Sequence, residues 1–178
     1  MTLSAPMAAG AILLQPLAEH HREALKDACA ADREIWTLYS ISYDPEHFDA
    51  SFDRLRSLPS TQAFAIIENG RMAGMSCFLG IDAARGVLEI GNTYYLPALR
   101  GTGFNRAVKD LMIGRALDEG FRRIEFRVDA RNLRSQGALA KLGAVREGVL
   151  RADRITWTGH VRDTVLFSIL AEEWRGRA

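Results

Sequence analysis

The chain has 178 residues, with 23 Lys or Arg against 22 Asp or Glu and a formal net charge of +1. That length suits one domain burying roughly 70% of its extended surface without metal or disulfides, and the balanced charge excludes an electrostatic footprint for nucleic acid or an anionic membrane. Cys29 and Cys77 have no Cys or His partners at ligand spacing and no apolar run reaches the ~18 residues of a membrane helix, so a cytoplasmic, reduced protein with no metal site is expected.

In chain order, residues 1–10 are expected to be loose, residues 12–17 a short strand, and residues 20–31 a helix rich in Ala, Leu and Glu. Phe48, Phe52 and Leu55 recur at helical spacing between Pro45 and Pro59, completing an N-terminal pair of helices. Residues 63–67 and 72–81 are apolar runs joined by Glu68-Asn69-Gly70-Arg71, and Asn-Gly is a strong hairpin signal. Residues 87–96 form a further strand that contains Gly91 and ends before Pro97. Phe104, Ala107, Val108, Leu111, Met112, Ala116 and Leu117 share one face of a helix closed by Gly120. Ile124, Phe126 and Val128 alternate with charged residues as a strand; a helix capped by Asn132 then runs to Gly143, and residues 144–150 and 162–170 are two last strands. No repeat or linker divides the chain, so residues 1–178 are expected to form a single domain.

Two loops carry chemistry. Arg100-Gly101-Thr102-Gly103-Phe104-Asn105 lies between a strand and a strong helix, where glycines let backbone approach a phosphate and the first-turn N–H groups face it. The same residues also suit a plain tight turn. The chain lacks the Gly-Lys-Ser/Thr of a nucleotide-triphosphate loop and the third glycine of a dinucleotide fingerprint. The second loop, Asp129 to Ser135, starts another helix; if the two preceding strands are parallel neighbours, both helices open at one sheet edge. Asn132 there is also accounted for as an N-cap.

Together the two loops resemble the motifs of the GNAT superfamily of N-acetyltransferases. Arg100 to Asn105 is similar to its Arg/Gln-x-x-Gly-x-Gly/Ala signature, and Asn132-x-x-Ser135 with Leu142-Gly143-Ala144 to its next motif. Gly148-Val149-Leu150-Arg151 and Arg162-Asp163 resemble the branch of ribosomal-protein N-terminal (alanine/serine) acetyltransferases. The resemblance implies a layered α/β fold: a mixed, mostly antiparallel sheet of about seven strands, with a splayed parallel pair and helices on both faces. It implies that backbone of Thr93, Tyr94 and Tyr95 binds the pantetheine arm of acetyl-CoA, that Gly101, Thr102, Gly103, Phe104, Asn105 and Arg106 cradle its pyrophosphate, and that Arg100 also binds the cofactor. Asn132 would contact the pantetheine or acetyl end, and Ser135 would sit by the thioester sulfur. Gly91 is compatible with a bulge that parts the motif strand from its neighbour.

Departures narrow the chemistry. Asn105 stands where the signature has a small residue, Leu139 where many relatives have an acid tyrosine, and Arg127 where some have a base glutamate. Ser135 is then the candidate acid, and Glu89, Glu125, Asp129 and Asp163 remain open as bases. None of the four histidines suggests a triad, and Trp36, Tyr39, Tyr43 and Phe48 are expected in the core near the acceptor groove. The implied reaction is direct acetyl transfer from acetyl-CoA to a primary amine, a protein N-terminus or a small molecule, by a monomer or homodimer. The rival readings are a CoA-binding regulatory module without catalysis and an interaction module with no cofactor.

Overall fold

In the computed structural model, which describes residues 3–176, the apolar runs of the mid-chain become strands and the 3.6-residue repeats become helices. One sheet contains β1 (Met7–Ala9), β2 (Ile12–Pro16), β3 (Gln62–Glu68), β4 (Arg71–Asp82), β5 (Val87–Tyr95), β6 (Arg123–Asp129), β7 (Val145–Ile155) and β8 (Val161–Leu170). Its order is β1-β2-β3-β4-β5-β6-β8-β7, with every neighbour antiparallel except the β5–β6 pair. The Asn-Gly signal is a two-residue hairpin turn with φ of 49° at Asn69 and 75° at Gly70, the geometry that matches strand twist.

Residues 7–9, expected to be loose, instead form β1, a strand beyond the seven expected, pairing Met7 with Leu14. Leu3 and Met7 are buried in the main core, and Gly10 at φ 56° turns the chain back onto β2. The gain is tertiary: a short apolar segment covers an edge that would otherwise be open. Residues 1 and 2, part of the same expectation, lie outside the described residues.

The helices lie on both faces. The segment expected as one helix at 20–31 begins with a tight 3-10 turn, Glu19–His21, and continues as α1 (Arg22–Ala30). With a second 3-10 turn, Glu34–Leu38, and α2 (Phe48–Ser57), it covers one face through Leu25, Trp36, Phe48, Phe52 and Leu55, packed on Met75, Cys77 and Tyr94. On the other face α3 (Phe104–Asp118) and α4 (Leu133–Leu142) set Val108, Met112, Leu139 and Leu142 against Ile90, Ile124 and Phe126. The chain's last described helix is the short α5 (Ala171–Arg175).

One irregularity shapes the middle of this sheet. Met75 pairs with Tyr94 and Cys77 with Gly91, so Asn92 and Thr93 together oppose Ser76, a β-bulge one residue beyond the expected Gly91. Asn92 adopts φ 48° to accommodate it. The parallel β5–β6 ladder spans only Val87–Glu89 against Arg123–Glu125, although both strands continue; beyond it they part. The extra residue also inverts the alternation of side chains. Leu88 and Ile90 face α3 before the bulge and Tyr95 after it, while Tyr94 turns into the α1–α2 core.

Beside the bulge the backbones of β4 and β5 come so close that a Cβ at Gly74 would overlap the Tyr94 carbonyl. Gly74→Ala should therefore cost about 3 kcal/mol and lower the melting temperature by about 6–12 °C, because backbone must move to relieve the clash. Calorimetric melting checks this; an unchanged melting temperature would mean that the approach is loose.

Candidate active site

Where β5 and β6 part, the sheet holds a cavity of about 430 Å³. Side chains from both faces reach it: Tyr39, Tyr43 and Leu55 from the α1–α2 side, and Asn105, Lys109, Ser135 and Leu139 from α3 and α4. α3 starts after β5 and α4 after β6, so both N-termini open at the same edge, as the motif spacing predicted.

The turn into α3 is built for close backbone approach. Gly101 and Gly103 adopt φ of 80° and 90°, the left-handed region that favours glycine, and a Cβ at either would meet nothing. Thr102 closes the turn by donating to the Leu99 carbonyl at 2.8 Å. The first helical bond runs from Ala107 N to Gly103 O, so the N–H groups of residues 104–106 precede the ladder, where an anion is stabilised. Phe104 N has only a long contact of 3.4 Å to the Thr102 hydroxyl. At α4 the Asn132 Oδ1 accepts from Ser135 N at 3.0 Å, so this side chain is an N-cap while also bordering the cavity.

The sequence-predicted residues divide into two groups. Thr93, Tyr95, Arg100, Gly101, Asn105, Asn132 and Ser135 border the cavity. Thr102 and Gly103 lie exposed on the turn outside it, Phe104 is buried against the Tyr95 ring, and Arg106 pairs with Asp110 at 2.7 Å and covers Trp174. Tyr94 is turned away: its hydroxyl donates to the Ala28 carbonyl at 2.7 Å and its backbone pairs with β4. The Leu96 N–H also bonds to β4, at the Ala73 carbonyl, so by alternation the backbone groups of Thr93 and Tyr95 face the gap. The Thr93 carbonyl accepts from the Tyr39 hydroxyl and the Tyr95 carbonyl from Arg100 Nε at 3.1 Å. Arg100 also pairs with Asp32, so it lies inside the loop rather than out at the turn.

Two residues that border the cavity also carry a buried polar atom without a hydrogen-bond partner, Arg100 Nη2 and the Tyr95 hydroxyl. Each such group costs about 1–3 kcal/mol when left unpaired.

Lys109 was not singled out from the sequence, although it lies one turn after Asn105 on the same face of α3. It is only 5% exposed; its Nζ donates to Thr93 Oγ1 at 2.8 Å, and that oxygen is 2.6 Å from Ser76 Oγ. Burial lowers its pKa to about 7, with Cys77 and Glu89 opposing the shift.

The carboxylates left open by sequence now separate. Glu89 borders the cavity, and burial pushes its carboxyl up against the pull of Arg127, whose Nε is 3.5 Å away. Asp129 also borders it; burial raises this carboxyl, but bonds from Arg131 of 2.8–3.0 Å hold it below the usual range. Glu125 is paired with Arg123 and Arg127 and does not reach the cavity. Asp163 accepts from Ala152 N at 2.8 Å, also outside it. None of the four histidines borders the cavity.

Residues 11–145 match the model of the acetyltransferase (GNAT) domain family. A structure described as an acetyltransferase from T. thermophilus is 33% identical, with a TM-score of 0.88 over 96% of this chain and 92% of that one. A GNAT-family structure from Chromobacterium violaceum is 29% identical, with a TM-score of 0.90 over 97% and 89%. A ribosomal-protein-S5-alanine acetyltransferase from Vibrio fischeri has the same fold at 16% identity, with a TM-score of 0.77 over 96% and 98%. No curated protein matches the chain.

The buried lysine makes stability depend on pH. Below about pH 7 the folded and unfolded chains both carry its charge, and the folded chain bears the cost of burying it; above about 10.5 neither does. Between those values the unfolded chain holds the extra proton, so this group makes stability rise with pH by up to about 1.4 kcal/mol per unit. Urea unfolding at pH 6, 8 and 9.5 should show wild type gaining on Lys109→Met as pH rises. A constant difference between the two would mean that Lys109 is not buried as a charge.

Proposed function

The chain belongs to the GNAT acetyltransferase family, and from that premise we propose that it transfers an acetyl group from acetyl-CoA directly to a primary amine inside the gap between β5 and β6. The observation that carries this reading is the parting of β5 and β6, which opens a cavity beside the left-handed turn at Gly101 and Gly103 and the N-terminus of α3. The backbone of Thr93 and Tyr95 that is turned away from β4 lines the gap, and the turn from Gly101 to Arg106 receives the pyrophosphate on the N–H groups that precede the helical ladder of α3.

An amine attacks a thioester only when neutral, so one proton must leave the nitrogen and one must reach the departing thiolate. Glu89 is the proposed base, directly or through water, because it alone among the four candidates borders the cavity without a close lock on both oxygens. The amine nitrogen forms the new C–N bond as the C–S bond breaks, and the Ser135 hydroxyl passes a proton to the sulfur. Asn132 holds Ser135 in place through the cap at the start of α4. Neither cysteine serves as a nucleophile in this scheme: both are buried, and burial raises both thiols, Cys77 to about 12.

A second reading, a CoA-binding regulatory module without turnover, is favoured by one observation. Leu139 occupies the cavity wall where many relatives have an acid tyrosine, and it is only 7% exposed. Release of free CoA in the presence of a primary amine separates the two readings.

Single-turnover kinetics test the proton roles. Ser135→Ala should lower kcat by about 10²-fold or less while the Kd for acetyl-CoA stays constant. Because Glu89 must be ionised to act, kcat/KM should fall as pH drops through its raised pKa, and Glu89→Gln should lose both most of the rate and that acidic limb. A Ser135→Ala enzyme with full kcat removes the serine, and a Glu89→Gln enzyme with an unchanged pH profile removes the glutamate.

A further inference from the structure

Side chains of β5, β6 and β8 alternate between the two faces of the sheet. Leu88, Ile90, Phe126, Val128, Val165 and Phe167 pack on the α3 side, so Glu89, Arg127 and Arg162 belong to the opposite face, away from the turn that starts α3. β7 adds Arg154, which is the cross-strand partner of Arg162. All four charged residues border the cavity. The end of the cavity that faces α1 and α2 is therefore lined by three guanidinium groups and two carboxylates, Glu89 and, by the same alternation on β6, Asp129, which Arg131 already neutralises.

The guanidinium groups are not equally neutralised. Arg127 contacts Glu89 at 3.5 Å and Glu125 at 3.2 Å, and Arg154 contacts Asp153 at 2.9 Å. Arg162 is only 5% exposed, yet its hydrogen bonds go to neutral oxygens: Thr164 Oγ1 at 3.0 Å, Ser40 Oγ at 3.2 Å and the Arg127 carbonyl at 3.2 Å. Among the described residues no carboxylate lies within ion-pair distance of it. A guanidinium has five N–H groups, so two remain for a ligand. Burial, and then the positive charge of Arg154, disfavours the cation there, with Asp129, Asp153 and Glu89 acting only at longer range. A buried charge without a close counter-charge is expensive, and an anion brought by a ligand relieves it. A second hollow continues from this end between Trp157 and α2, sharing Ser40, Ile41 and Arg154 with the first, so the body of an acceptor has a place to lie.

We propose that the acceptor is a small primary amine that carries its own anion, a carboxylate or a phosphate, which Arg162 and Arg154 bind while the amine meets Glu89. This rests on the reading of the gap as an acetyl-transfer site. A carboxylate and a phosphate present the same paired oxygens to a guanidinium fork, so both are admitted by the arginines and are separated by experiment. Arg127 bridges the two ends: its side chain faces Glu89 and its carbonyl holds Arg162.

Matched amines test the proposal: phenylalanine against phenethylamine for a carboxylate, phosphoethanolamine against ethanolamine for a phosphate, and an alanyl peptide amide for a protein N-terminus. Two readouts are needed, kcat/KM from CoA release and the calorimetric Kd of each amine on the free and CoA-loaded protein. The acidic member of at least one pair should be preferred by about 10²-fold. That preference should fall at least about 10-fold in Arg162→Gln, with the Kd for CoA unchanged. Because Arg162 also ties β8 to Ser40, its loss threatens folding; Arg154→Gln, whose side chain is 38% exposed, provides the second variant and should reduce the same preference. Equal or better use of the neutral amines or of the peptide overturns the proposal, as does a preference that survives both substitutions. If CoA itself fails to bind, the acetyl-transfer reading falls, while the Kd values of the paired amines still decide whether an anion site exists.

Discussion

Two residues of β5, Asn92 and Thr93, stand opposite one residue of β4, and the rest of the site depends on that mismatch. A regular strand would continue its ladder to β6 and close the sheet. Instead the parallel pairing stops after Glu89, and backbone groups that would have bonded across the sheet face a cavity. The bulge is held from both sides. Asn92 donates to the Tyr43 hydroxyl at 2.8 Å, Tyr39 donates to the Thr93 carbonyl, and Lys109 and Ser76 converge on the Thr93 hydroxyl. An irregular backbone of this kind persists only when its surroundings over-determine it.

The stability given up is concentrated around this gap. A lysine, two unsatisfied donors and an arginine without a close counter-charge are all buried there, each of which a core built for stability alone would avoid. The two aromatic and aliphatic cores on either side supply the compensation, with Trp36, Phe48 and Phe52 on one face and Val108, Met112 and Ile124 on the other almost fully buried. The helices thus do two things. They bury apolar surface, and their N-termini and polar flanks line a cleft that the sheet leaves open.

Much of this was legible in the sequence because it is local. The face of α3, the Asn-Gly hairpin and the two glycines before α3 follow from spacing and φ preference, and they appear where expected. What was hidden depends on non-local partners. β1 exists because β2 has an edge to cover, which three residues of Met-Ala-Ala do not announce. The Tyr94 side chain enters the α1–α2 core because a one-residue bulge inverts which side chains face α3, and Gly91 pointed only to the bulge's neighbourhood. The inward direction of the Arg100 side chain depends on Asp32, 68 residues away in sequence. Lys109 carries no local signal in the sequence, and only the fold buries it against Thr93. The choice among four carboxylates likewise needed the ion pairs, since Arg131 and Arg123 occupy two of them in ways that sequence order does not show.

Amide hydrogen exchange with and without acetyl-CoA tests most directly whether the parted strands are the cofactor's berth. Binding should slow exchange by about 10-fold or more at residues 92–95 of β5 and residues 104–106 of α3, while β2 and β3 keep their rates. Acetyl-CoA bound by calorimetry with no added protection in those two segments would contradict the account.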